Sequence, residues 1–149
     1  MTLIDTIDND IKRAMIAKDE IGLRALRAIK SALLIARTEK NAADNISAET
    51  ELKVLQKQVK QRKESADIYN QQNRDDLAKI ELDELAVIEK YLPAQKTDEE
   101  IEAMIKSIIT ETGVSSPKEM GKVIGLATAK LAGAADSKTI ATLVKKLLN

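Results

Sequence analysis

The sequence contains no cysteine and no histidine. The first absence excludes disulfides, thiolate nucleophiles and thiolate metal sites. The second removes the side chain most used for general acid–base work and for zinc ligation, so any catalysis would rest on carboxylates, lysines or hydroxyls. No catalytic residue, metal or cofactor is assigned. Tryptophan and phenylalanine are also missing, and the only aromatic residues, Tyr69 and Tyr91, fall within apolar patterns. Stacking platforms for sequence-specific nucleic-acid reading are therefore not expected. Neither sign of charge dominates: 24 Lys and Arg balance 24 Asp and Glu. That excludes a uniformly basic nucleic-acid-binding chain but leaves room for a local basic patch. No apolar run approaches a membrane span. The start, MTLIDTIDND, sets acids among isolated apolar residues and lacks the basic opening and apolar run of a signal peptide. With the lack of cysteine, this sets the expectation of a soluble, cytoplasmic protein.

What is present is Leu, Ile, Ala and Val at helical spacing among many charges, the pattern of an all-α protein. A first helix is predicted from Leu3 to Lys18. Asp19 caps a second with Leu23, Leu26, Ile29, Leu33 and Ala36 inside, ending near Lys40 before the break at Asn41–Asn45. Ser47 opens a third, with the stripe Leu52, Leu55, Val59, Arg62, Ala66 and Tyr69. Lys57, Lys60, Arg62 and Lys63 form a secondary basic patch on it. An anion-binding groove is one reading; the preferred one has the lysines solvated while Arg62 snorkels or pairs with an acid of the next helix. Asn73 caps that fourth helix, whose Glu81, Asp83, Glu84 and Glu89 load it with negative charge and supply candidate partners for Arg62; the pair Glu81 and Glu84 is read as solvent-facing charge in preference to a magnesium site. Pro93 ends it and places the domain junction: a four-helix domain over 1–93, then a three-helix tail domain over 94–149.

The tail opens with a capping box at Thr97 and Glu100 and a helix closed by Gly113. Its second helix begins in SSPKEMGKVIG, Ser115–Gly125, where Ser116 caps, Pro117 takes the first position and Glu119 returns the hydrogen bond. Lys118 and Lys122 then share a face, with Gly121 and Gly125 beside them. The glycines are expected to let another helix pack closely, direct approach of a nucleic acid being the alternative. After AGAAD, Asp136 caps the last helix. From Ser116 onward six lysines, Lys118, Lys122, Lys130 and Lys138 among them, face only Glu119 and Asp136. The tail end is basic although the chain is neutral.

KQRKESADIY at Lys60–Tyr69, NRDDLAKIELDELAVIEKYLP at Asn73–Pro93, TGVSSPKEMGKVIG at Thr112–Gly125 and AGAAD at Ala132–Asp136 together resemble the GatB/YqeY family. These are free-standing proteins similar to the helical and tail portions of the B subunit of tRNA-dependent amidotransferases. The resemblance covers almost the whole chain and implies a four-helix domain, a three-helix tail and a relationship to tRNA, because the B-subunit tail contacts the outer corner of tRNA. It implies nucleic-acid contacts at Lys118 and Lys122, with Lys130 and Lys138 completing the basic tail. The catalytic cradle and amidase subunit that perform carbon–nitrogen ligation in those enzymes have no counterpart in the sequence.

The expectation is a non-catalytic tRNA-binding or tRNA-associated module that holds phosphates at a basic helix start. Two alternatives stand beside it. One is an amidotransferase component with glutamine-dependent ligase activity on misacylated tRNA; the other is an adaptor that docks an acidic protein partner through the basic third helix, a partner of the translation machinery being one candidate.

Overall fold

The computed structural model describes residues 2–40 and 45–149. Among them the chain forms seven α-helices and no strand, in agreement with the all-α reading. The break expected at Asn41–Asn45 lies, up to residue 44, outside the described residues.

Contacts divide the chain into two units, Met1–Leu92 and Pro93–Asn149. The first holds α1 (Leu3–Ala17), α2 (Glu20–Glu39), α3 (Ala48–Gln71) and α4 (Asp75–Glu89). Their ends follow local chemistry. Thr2 and Asp5 exchange capping hydrogen bonds at the start of α1, and Lys18 closes it in the left-handed conformation. The Asp19 carboxylate accepts the Gly22 N–H at 2.9 Å to start α2, and Ser47 Oγ accepts the Thr50 N–H at 3.2 Å to start α3. Each cap satisfies a backbone donor that the helix itself leaves without a partner. α4 departs from expectation. Asn73 turns left-handed, with φ +58°, and the N-cap position falls to Arg74, whose side chain instead grips Asp76 with two 3.2 Å hydrogen bonds.

Ile7, Leu26, Ile29, Leu33, Leu55 and Ile88 are the buried centre of this unit. α3 and α4 pair along much of their length, whereas α2 meets α3 over a far smaller surface. That difference leaves a groove between α2 and α3.

The second unit holds α5 (Asp98–Thr112), a 3-10 turn over Pro117–Glu119, α6 (Met120–Leu131) and α7 (Ser137–Leu148). Thr97 and Asp136 cap α5 and α7 through Glu100 N–H and Lys138 N–H. Gly113 ends α5 at φ +70°, where a side chain would be strained. Ile101, Ile105, Ile108, Val123, Ala127, Ile140 and Val144 form the core. The Gln95 side-chain amide donates to both Pro93 O and Gly133 O at 2.9 Å, and Lys96 N–H donates to Ala134 O at 2.8 Å. These bonds tie the segment after Pro93 to the AGAAD loop.

Candidate nucleic-acid interface

The Ser115–Gly125 stretch folds differently from its sequence reading. Ser116 Oγ accepts the Lys118 N–H at 3.2 Å, two residues on, so it does not take the Glu119 N–H that a capping box needs. The tight bond favours a 3-10 turn over Pro117–Glu119. α6 therefore starts at Met120, with Glu119 at its N-cap making no side-chain capping bond. Lys118 stands in the turn and Lys122 in the first helical turn, so they do not share one α-helical face.

Val123, Ala127 and Leu131 give α6 its buried stripe, and helical spacing turns Gly121, Gly125 and Ala129 outward. All three are exposed. A Cβ placed on Gly121 or Gly125 would meet nothing within 4 Å. The expectation that these glycines admit a neighbouring helix is thus overturned: α5 and α7 pack on the other side of α6. What remains is a smooth outward strip of bare backbone. Beside it runs a second ridge, Lys122, Leu126 and Lys130, at the same four-residue interval and also exposed.

The lysines differ in their surroundings. Lys130 Nζ lies 3.5 Å from Glu111 of α5, and Lys146 reaches Glu102 at 4.0 Å. Lys118, Lys122 and Lys138 have no carboxylate within 4 Å among the described residues. Lys138 belongs to another element, the first turn of α7, where Asp136 caps the backbone. The strip and the Lys122 flank thus form a cation-bearing face without bulky side chains. It suits a polyanion that lies close to the helix surface.

The secondary patch on α3 divides. Lys57, Lys60 and Lys63 are exposed, and Lys60 reaches Glu64 at 4.0 Å. Arg62 turns inward. Its Nη1 lies 2.7 Å from Glu84 Oε2 and 3.2 Å from Glu81 Oε2, both on α4. Glu84, read as solvent-facing, is only 1% exposed. Sequence periodicity missed it because Glu84 is adjacent to Leu85, three residues from Glu81 and four from Ile88, a spacing that serves either face. Burial raises its carboxyl pKa above the usual value, Arg62 opposes that shift, and Glu81 adds to it. Among the described residues no three acidic side chains gather as a metal ion would require.

The family described as YqeY-like protein matches residues 4–148 of the chain. A protein of Clavispora lusitaniae named "Altered inheritance of mitochondria protein 41, mitochondrial" is 40% identical over 114 residues, covering 73% of this chain and 64% of that protein. Proteins of the same name are 35% identical in Meyerozyma guilliermondii, over 60% of this chain and 46% of theirs, and 30% identical in Kluyveromyces lactis, over 82% and 67%. The chain spans less than two thirds of the length of the first two. These names overturn the cytoplasmic expectation, since the relatives are mitochondrial proteins. A cysteine-free chain suits many compartments and specifies none.

Proposed function

The chain belongs to the YqeY-like family, and on that premise we propose that it is a non-catalytic, tRNA-associated module. We take its location, from the relatives' names, to be mitochondrial. In this reading the four-helix and three-helix units are distinct modules, and the tail unit meets the nucleic acid.

The observation that carries the reading is the outward pair Gly121 and Gly125. An exposed glycine inside a helix weakens it by roughly 0.5–1 kcal/mol relative to alanine. Nothing within 4 Å repays that cost inside the unit. A ligand that approaches the backbone closely would. Lys122 flanks the strip and Lys118 stands in the turn before it, both exposed, to meet phosphates on such a ligand. The dearth of exposed aromatic side chains argues for shape and charge recognition of structured RNA over base stacking.

The test is anisotropy titration of fluorescent tRNA at several salt concentrations. Binding should weaken as salt rises, and Lys118→Ala with Lys122→Ala should raise Kd by about tenfold at physiological ionic strength. Gly121→Ala with Gly125→Ala should also weaken binding while leaving the helix at least as stable. Salt-independent binding, or affinity indifferent to both double variants, defeats the reading. Pure protein given misacylated tRNA, glutamine and ATP should yield no amidated product; conversion would favour the ligase alternative.

A further inference from the structure

A second surface, in the first unit, points to a different class of ligand. Where α2 and α3 diverge they leave a groove of about 390 Å³. Ala32 and Ala36 of α2 and Val54 of α3 form its apolar floor, and Ile35 lines one side. The two alanines keep the floor low, and Ile35 stands above it, 57% exposed. A shallower depression along Leu34 borders the other side of Ile35, so its side chain forms an apolar ridge open on both flanks.

The groove continues along α3. Gln58 and Gln61 border both this groove and a neighbouring one of about 440 Å³ that reaches Ile68, itself 51% exposed. From Val54 to Ile68 the path follows α3 for about 20 Å, at 1.5 Å per residue. That is the length of roughly four turns of a second helix.

Its charge is uneven. Lys40, Lys53 and Lys57 border the α2–α3 groove against a single lining acid, Glu39, whereas the continuation towards Ile68 is lined by Arg62, Glu64 and Glu81, so the cationic edge belongs to the α2–α3 part. Lys53 is engaged with Glu49 at 2.7 Å, whereas Lys57 has no carboxylate within 4 Å among the described residues. An apolar floor with cationic edges complements a helix whose apolar stripe is flanked by Asp and Glu. A nucleic acid would leave the apolar floor uncovered and finds no aromatic side chain to stack on.

We propose that the α2–α3 groove docks an acidic amphipathic helix of a partner protein. Ile35 seats between apolar side chains of that helix, and Lys57, with Lys40, pairs with carboxylates along its edge. The site lies in a different unit from the α6 strip and stands whether or not the tail binds tRNA.

The test begins with selection of displayed random peptides of about 16 residues on the intact chain, in the presence of excess tRNA. Enriched sequences are synthesised, labelled and titrated by anisotropy. They should carry apolar residues at i, i+3 or i+4, and i+7, with net negative charge. Ile35→Glu should raise their Kd by about tenfold or more. Lys57→Glu should weaken them severalfold, and exchanging a peptide Glu for Lys should recover the loss. Both positions are exposed, and circular dichroism verifies that the variants remain folded. The proposal is overturned if no peptide is enriched, if enriched peptides are basic or aperiodic, or if Ile35→Glu changes nothing. Displacement of bound peptide by tRNA would assign the groove to RNA instead. A wild-type dimer that Ile35→Glu dissociates in sedimentation would assign it to a second copy.

Discussion

Arg62 Nη1 lies 2.7 Å from Glu84 Oε2, and the carboxylate it holds is all but fully buried. The pair joins α3 to α4 at the centre of their contact. Glu84 is held as an ion pair while Glu81 accepts a hydrogen bond from the same Nη1, and Arg24 of α2 comes within 3.6 Å of Glu84 Oε1 without forming a hydrogen bond to it. One oxygen of Glu84 is therefore left unsatisfied, and Arg62 is the main compensation for a charge held out of water.

Removing that compensation should be costly. Arg62→Met is expected to destabilise the protein by about 3–5 kcal/mol at neutral pH, towards the lower figure because the Arg62 side chain is 18% exposed. The loss should depend on pH. A carboxyl whose pKa is raised by folding binds more protons folded than unfolded, so its contribution to stability falls as pH rises from the ordinary carboxylate value through the raised one. Arg62 restrains the rise; without it the window widens. Urea denaturation should thus show a larger penalty for Arg62→Met at about pH 8 than at about pH 5. Adding Glu84→Met should recover much of the loss, because no buried charge is then left alone. Equal penalties at the two pH values would mean that Glu84 is not the group responsible.

Two glycines should respond with opposite signs. Gly125→Ala, in the body of α6 with open space outside, should stabilise the protein by roughly 0.5–1 kcal/mol. Gly22→Ala should destabilise it. A Cβ at Gly22 would fall 2.8 Å from the Asp19 carboxyl carbon, so the carboxylate must leave the N–H it caps. Loss of such a cap costs about 1 kcal/mol. Thermal melts of the two single variants decide both signs.

The helices were legible because their ends are written in adjacent residues. Asp19, Ser47, Thr97 and Asp136 each act on a backbone N–H two or three positions ahead. Pro93 stops helical continuation without any partner. The same local reading misjudged Ser116, where the bond to Lys118 takes the place of the one to Glu119. It misjudged the outward glycines for another reason: glycine spacing marks a smooth ridge but not what lies opposite it. The burial of Glu84 depends on Arg62, 22 positions earlier, lying opposite it, and helical periodicity in α4 carries no trace of that. Of the candidate site, the identity of the lysines came from sequence, while the pairing that separates Lys130 from Lys122 needed coordinates.

Tyr91 offers a spectroscopic check on the first unit. Its hydroxyl donates to Asp10 Oδ2, tying the end of α4 to α1. Burial first, then the bond to Asp10, push the phenol well above its usual range. In a Tyr69→Phe background, the remaining tyrosine should resist ionisation until well above pH ~10 while the protein stays folded. A phenol with a raised folded pKa loses stability as pH climbs past its ordinary value, so Tyr91→Phe should flatten the alkaline fall in stability. At neutral pH the same variant should cost about 1.5–3 kcal/mol, the range for a hydrogen bond to a charged group. A tyrosinate absorbance midpoint near the ordinary value would show that the bond to Asp10 does not persist in solution.

Lys122 and Lys130 lie on one exposed ridge of α6 and should nevertheless contribute unequally to the proposed tRNA binding. Lys130 has Glu111 at 3.5 Å, whereas Lys122 has no carboxylate within 4 Å among the described residues. A lysine that meets a phosphate releases a condensed counterion and adds about 0.9 to the slope of log K against log salt. Lys122→Ala should therefore lower that slope by about 1. Lys130 must first leave Glu111, and the freed carboxylate then repels the incoming phosphates, so Lys130→Ala should lower the slope by less. Glu111→Gln sharpens the comparison, since removing the competing acid should strengthen binding and restore to Lys130 a contribution close to that of Lys122. If Lys122→Ala leaves the slope unchanged while Lys130→Ala lowers it, the polyanion does not lie along the glycine strip, and the face assigned to it on α6 is the wrong one.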